Sequence, residues 1–500
     1  MTRIAVCLWL GISAGWPLGA QTDRAAAESQ RARQMMAAGR YAEAVPLYDK
    51  LVQSMPANPG LRLNLAMALH FSGDDEKAIP HFETVLKQQP NSLAALMLLG
   101  ASYLRTGKPA KAVPMLEKAM AIAPGDAQGR AMLADGLLML DRYGAAIPHL
   151  RKLAEADPAN PRPWFGLGRS YEAVAQQAFD ALEKMGPDSP WWLMLAAESR
   201  VKLGRNTAAF TLYRAVLEKQ PNFHGAHAGL AEVYRQTDHP EWAAAEDEME
   251  RKLPPAACDS TPKYAATPSS ECRFLKGRYA EALSLALARK SPEALYWQSR
   301  AANELARAAF AQLANLPPSV ESYQVMAELQ RNLGRHADAI QAWKSALELA
   351  PGDPRLEQEL ATSLYMNRDY RAAEKMAREL IARDSEVAEM HFILGDSMMN
   401  QQQPEQAAES LRKAVSLRPD YPAAHAVLGR ALMRMGRSTE AIPHLVAALP
   451  ADSDGSLHFQ LSRAYQETGQ AEKAAAAMKT YQAMQKPAGD AEIVITGPRR

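Results

Sequence analysis

Three cysteines, eleven histidines and the carboxylates near them are the side chains of this 500-residue chain that could hold a metal, form a covalent bond or move a proton. Cys258 and Cys272 flank C-D-S-T-P-K-Y-A-A-T-P-S-S-E-C, a stretch rich in proline and serine with no helical period, which therefore reads as a loop. Two cysteines so placed are a poor metal site without clustered histidines. His224 and His227, in H-G-A-H, have the i, i+3 spacing that could present two ligands on one helix face, yet no third ligand follows at a recognisable spacing. There is no glycine-rich phosphate loop, H-E-x-x-H or nucleophile elbow. His227, His391, His425 and His458 share one phase of a 34-residue period, and His81, His149 and His444 share another, each after A-I-P. Recurrence at a fixed phase marks a packing position. The expectation is a protein that is not an enzyme, with no cofactor and no metal.

The elements that carry these positions are short amphipathic helices. In residues 93–126, Leu96, Leu99, Gly100 and Tyr103 fall at i, i+3, i+4 and i+7, one face of a helix. Gly107 ends that helix by accepting a positive φ without a Cβ clash. Ala112, Leu116 and Ala119 repeat the face on a second helix, which Pro124 stops. Gly100 and Ala112 are small because the two helices cross there. Pro90, Pro124 and Pro158 are spaced by 34, as are Ala78, Ala112 and Ala146. Pro46, Pro80, Pro114 and Pro148 hold one phase, placed by this spacing in or near the first turn of each second helix.

A helix–turn–helix unit of this length, with these small and large positions, resembles the tetratricopeptide repeat, in its exported bacterial type. The resemblance covers nearly all of residues 25–488 and implies an all-α fold, a right-handed superhelical solenoid of stacked repeats. Four regular repeats fill 21–160. A middle block, 161–319, holds two ordinary repeats, the cysteine-flanked loop and two irregular units. The irregular units pair Phe179 with Phe310, Leu182 with Leu313 and Pro187 with Pro318 at an offset of 131, through a larger duplication, a repeated device that changes the path of the solenoid, or two independently decayed repeats. Five further repeats fill 320–488.

In this family partners lie in a concave groove lined by the first helices. The resemblance then assigns the second, fifth, ninth, twelfth and thirteenth positions to that lining. The N-terminal half contributes Leu63, Met67, His70, Phe71, Met97, Leu104, Leu138 and Met139, an apolar strip suited to a peptide or protein partner. The C-terminal half contributes polar groups: Glu328, Arg331, Gln358, Asp396, Arg430, Arg434 and Arg463. The family's carboxylate clamp is absent, since Leu63, Met67 and Met97 stand at its positions.

The chain has 57 basic against 56 acidic side chains, which excludes the electrostatic footprint of a nucleic-acid or anionic-membrane binder. Arg3, the apolar run Ile4 to Leu18 and L-G-A at 18–20 form a secretory signal, 1–20, with cleavage expected before Gln21, or an anchor if it is retained. No other stretch spans a bilayer. Periplasmic or secreted localisation follows. Export leaves an even pair of cysteines, Cys258 and Cys272, expected as a disulfide closing a loop of about 15 residues and worth roughly 3 kcal/mol in the chain-entropy model. The tail, 489–500, carries E-I-V-I-T without helical period and is expected to be disordered or to dock as a strand on another protein. The function expected is an exported scaffold for protein–protein interaction. The alternative is a structural component of a cell-envelope export or polysaccharide-secretion apparatus.

Overall fold

The computed structural model describes residues 18–254, 269–485 and 495–498, and among them the chain is helical without a strand. Two compact units result, one up to Val174 and one from Ala175 onward. The first holds four helix pairs: α1 (Leu18–Ala37) with α2 (Tyr41–Ser54), α3 (Pro59–Phe71) with α4 (Asp75–Gln88), α5 (Leu93–Arg105) with α6 (Pro109–Ile122), and α7 (Ala127–Leu138) with α8 (Tyr143–Ala156). The dividing line falls inside α9 (Pro161–Met185), which is unbroken for 25 residues.

The turn between paired helices rests on one backbone conformation. Gly107 has φ +67°, and the equivalent residue of nearly every repeat is also left-handed. Most are glycine, but Asp141, Asp238, Arg368 and Gln402 adopt φ between 55° and 63° at the same position. The turn geometry is thus imposed by the stacking, at a local backbone cost, even where no glycine supplies it. The close crossing inside a pair is equally strict. A Cβ on Gly100 would lie 2.7 Å from Cγ of Leu116, which is itself fully buried.

The prolines of the second helices sit deeper than the spacing suggested. α2, α4 and α8 begin five residues before Pro46, Pro80 and Pro148, and α6 five residues before Pro114, so each proline occupies the second turn. The carbonyls left without an N–H partner belong to Ala42, Glu76, Ala110 and Gly144, all on exposed residues. Water can satisfy them, so the interior proline is tolerated on the outer side of each helix.

In the second unit, α10 (Pro190–Lys202), α11 (Asn206–Lys219), α12 (Ala226–Gln236) and α13 (Pro240–Lys252) form two ordinary pairs. The next first helix is short: α14 spans only Ser270–Leu275, before α15 (Tyr279–Leu287) and the long α16 (Pro292–Ala314). α16 packs back on α10. Tyr296 lies 5.1 Å from Trp191, ring to ring, and Arg300 pairs with Glu198 at 3.4 Å. Tyr296 and Trp297 share one core with Leu193, Phe210, Tyr213 and Tyr234. Gly186, just past α9, faces Pro292, the first residue of α16. The second irregular unit therefore stacks on a helix far earlier in the chain. Regular pairs then resume from α17 (Val320–Asn332) to α26 (Ala471–Gln485) around a continuous core of leucine, alanine and methionine.

Residues 495–498 also differ from expectation. They are seated on α12 and α13, with Ile495 packed against the second unit's core. The signal segment up to residue 17, Cys258 and the rest of the tail lie outside the described residues.

Candidate functional site

The first-helix face of the N-terminal repeats is built by spacing alone. Phe71 closes α3 and is 43% exposed, and Met139, just past α7, is 44% exposed. Leu63, Met67, Met97, Leu104 and Leu138 are half-buried between neighbouring helices. Phe71 keeps its orientation by lying 5.1 Å from the ring of Tyr41 on the preceding pair. The strip is thus a row of aliphatic flanks with two large apolar side chains projecting from it.

His70 does not belong to that surface. It is 6% exposed and inside a polar network that ties α3 to α4 and α5. Its Nδ1 lies 2.8 Å from both Asp75 Oδ1 and Ser102 Oγ. Arg105 donates to Asp75 Oδ1 at 2.6 Å and to the His70 carbonyl at 2.5 Å. The composition is that of a Ser–His–Asp triad, but the wiring is not. A triad carries the carboxylate and the nucleophile on opposite ring nitrogens. Here both converge on Nδ1, so the imidazole cannot relay a proton from one to the other.

Arg105 is the residue that spacing did not single out. At the thirteenth position, it caps the carbonyl of the twelfth residue in the preceding repeat, one of the orphan acceptors at a helix C-terminus. Arg434 does the same to Met399, at 3.3 Å. The fourth position is a second recurrent clamp. Trp164 donates to the Pro158 carbonyl, His391 to Ser385 and His425 to Pro419, each at 3.0 Å and each six residues back, while Arg62 and Arg130 do likewise to Pro56 and Pro124. His391 and His425 are thus connectors between repeats. His224 and His227 diverge to separate carboxylates, Glu250 and Glu246. Among the described residues no group of three or more His, Cys, Asp or Glu could hold a metal ion.

Much of the polar lining of the C-terminal repeats is engaged in the same way. Asp396, 7% exposed, accepts from Tyr365 Oη at 2.6 Å and from Arg430 at 3.3 Å. Arg331 pairs with Glu359, and Arg463 with Glu467. These charges join one repeat to another or one helical turn to the next. On the other face of α5, Leu96, Leu99 and Tyr103 floor a cleft of about 700 Å³ between α4 and α6, rimmed by Lys87, Lys111 and Lys118. This cleft lies between second helices, a face for which the periodicity carried no functional signal.

Burial pushes the His70 imidazole below its usual range, helped by the Arg105 charge, against the opposing pull of Asp75. Burial also lowers His81, His149 and His444, with Arg62, Arg130 and His425 respectively adding repulsion. Burial alone would raise the Asp75 carboxyl, but the hydrogen bonds from Arg105 and Ser102 outweigh it and hold it low. The signs agree. Histidines with lowered native values bind protons more readily when unfolded, so their contribution is present above about pH 6.5 and is lost as pH falls. Thermal stability is expected to drop between pH 7 and 5, and His70→Asn to flatten that slope. A slope unchanged by His70→Asn would contradict a neutral, network-bound His70.

Models of the tetratricopeptide repeat match along both units. One matches residues 35–79, 72–136 and 398–458, a second 173–222, 194–257 and 359–422, and a third 320–353. No curated protein sequence matches the chain. Solved structures with a similar fold include MamA from Desulfovibrio magneticus, at 16% identity, covering 34% of this chain and 97% of that one, with a TM-score of 0.31. A tetratricopeptide protein of Thermus thermophilus aligns at 19% identity over 35% of this chain and 95% of its own, with a TM-score of 0.28. The Cut9–Hcn1 hetero-tetramer of the APC/C aligns at 14% identity over 94% of this chain and 96% of that chain, with a TM-score of 0.33. With helix pairs and family-model matches in both units, this chain is an all-α solenoid of tetratricopeptide repeats.

Proposed function

We propose that this protein is an exported, non-enzymatic scaffold that binds a peptide or protein partner along the first-helix face of its N-terminal repeats. The observation that carries the reading is the contrast between polar and apolar lining residues. Polar lining residues, His70 and Asp396 above all, are spent on joining repeats, whereas Phe71 and Met139 project apolar surface that no intramolecular contact consumes in full. An apolar strip flanked by methionines adapts to an amphipathic helix or an extended apolar segment. The same wiring of Ser102, His70 and Asp75 argues against catalysis there. Phe71→Glu with Met139→Glu is expected to reduce partner capture at least tenfold at unchanged helicity. Ile122→Glu, an equally exposed apolar site on a second helix, is expected to leave capture intact. Equal loss from both variants would contradict a first-helix binding face.

Export rests on the basic start and apolar run of residues 1–20, and on the cysteine pair that remains after its removal. No helix among the described residues is long and apolar enough to cross a membrane. The disulfide reading rests on that cysteine pair, of which Cys272 lies in the short helix α14. Terminal sequencing and unreduced peptide mapping check both together. A mature chain beginning at Gln21 and a linked Cys258–Cys272 peptide are the expected results, and a retained Met1 with two alkylated thiols would refute export.

A further inference from the structure

A stacked repeat leaves one face for the next first helix to cover. After α13 that cover is missing among the described residues, because α14 is a single short helix and α16 packs on α10 instead. A different face of the same block is the cleft between second helices, where Tyr234 and Trp242 hold the repeat positions of Tyr103 and Lys111; their rings are 5.5 Å apart and edge to face, and His239 packs 4.1 Å from Trp242. Yet Tyr234 is fully buried. What covers this face is the far end of the same chain.

The contacts are specific. Tyr234 Oη donates to the Thr496 carbonyl at 2.6 Å, joining residues 262 positions apart. Ile495 packs into the core shared by Tyr234 and Trp242. Gly497 lies so close to the indole that a Cβ would come within 3.1 Å of Trp242 Cε2 and 3.2 Å of Nε1. The indole lies between Tyr234 and His239, so a side chain on Gly497 must displace either the indole or the segment. The seat therefore reads three features in a row: a β-branched apolar side chain, a backbone carbonyl offered to a phenol, and a residue with no side chain. Pro498 follows, fixing the backbone leaving the seat and contributing no N–H that would need a partner.

We propose that the α12–α13 face is a binding seat whose occupant is this chain's own C-terminal segment, Ile495–Pro498, which docks as a tethered ligand. The seat is separate from the first-helix strip of the N-terminal repeats and does not depend on that reading. Tethering makes the local concentration of the segment high, so a seat of modest intrinsic affinity stays filled. A free peptide of the same chemistry must compete with the tether.

The test uses the full chain and a fluorescent peptide of residues 491–500. Gly497→Val in the chain releases the segment by forcing a side chain against Trp242. The labelled wild-type peptide is expected to bind that variant at least tenfold more tightly than it binds the wild-type chain, by anisotropy, at unchanged circular dichroism. A peptide carrying Gly497→Val is expected not to bind, and adding Tyr234→Phe to the released chain is expected to weaken the wild-type peptide several-fold. Equal binding to wild-type and released chains, or indifference to the valine in the peptide, overturns the proposal. A wild-type dimer that Gly497→Val converts to monomer also overturns it, because the segment would then be exchanged between copies.

Discussion

No helix pair in this chain can bury its own apolar face. A pair of about 30 residues exposes one leucine- and alanine-rich side to its successor, and burying each large side chain there stabilises by roughly 1.5–3 kcal/mol. The constraint sets the small residues first. Gly100 lets α5 approach Leu116, and Ala112, fully buried, does the same on α6. It also explains why polar side chains recur in phase. Each junction brings the carbonyls of one helix end against the next repeat, and buried carbonyls need donors. Arg105 on the His70 carbonyl and Arg434 on the Met399 carbonyl are the same answer given in two units. The fourth-position donors, Trp164, His391 and His425, are another.

Where the constraint is not met by a following repeat, the chain finds other cover. The run of pairs is interrupted after α13, and the long α16 turns back to bury Tyr296 against Trp191 on α10. Tyr234 and Trp242, on the cleft side of the same block, are covered by residues 495–498. The irregular segments are thus consequences of the same rule as the regular ones. Some large apolar side chains stay exposed all the same, Phe71, Met139, Met366 and Phe459 among them.

Most of the architecture was legible from periodicity, because a 34-residue phase places glycine, proline and alanine at positions with distinct backbone and packing demands. Gly107 announced its turn. Asp141 and Arg368 did not, yet phase alone located them at the same left-handed position. Phase failed where the deciding contact came from another part of the sequence. His70 has a lining position, but Asp75, Ser102 and Arg105 draw it inside. Asp396 is withdrawn likewise by Tyr365 and Arg430. The seat for the tail joins residues 262 apart, and neither end carries a local signal for the other. The β-branched character of E-I-V-I-T marked a segment without helical period. It did not show where the segment would lie.

The central claim is that the 34-residue repeat is the physical unit of this molecule, each copy held by its neighbours. Excising residues 93–126 removes one whole copy and joins Ser92 to Ala127 in unchanged phase. Circular dichroism and urea unfolding of that shortened full-length chain test the claim most directly. The account predicts a folded protein with the same helicity per residue and a lower unfolding midpoint, while removal of half a copy, 93–109, abolishes cooperative unfolding of the N-terminal unit. A 34-residue excision that unfolds that unit, or a half-copy excision that leaves it intact, would contradict it.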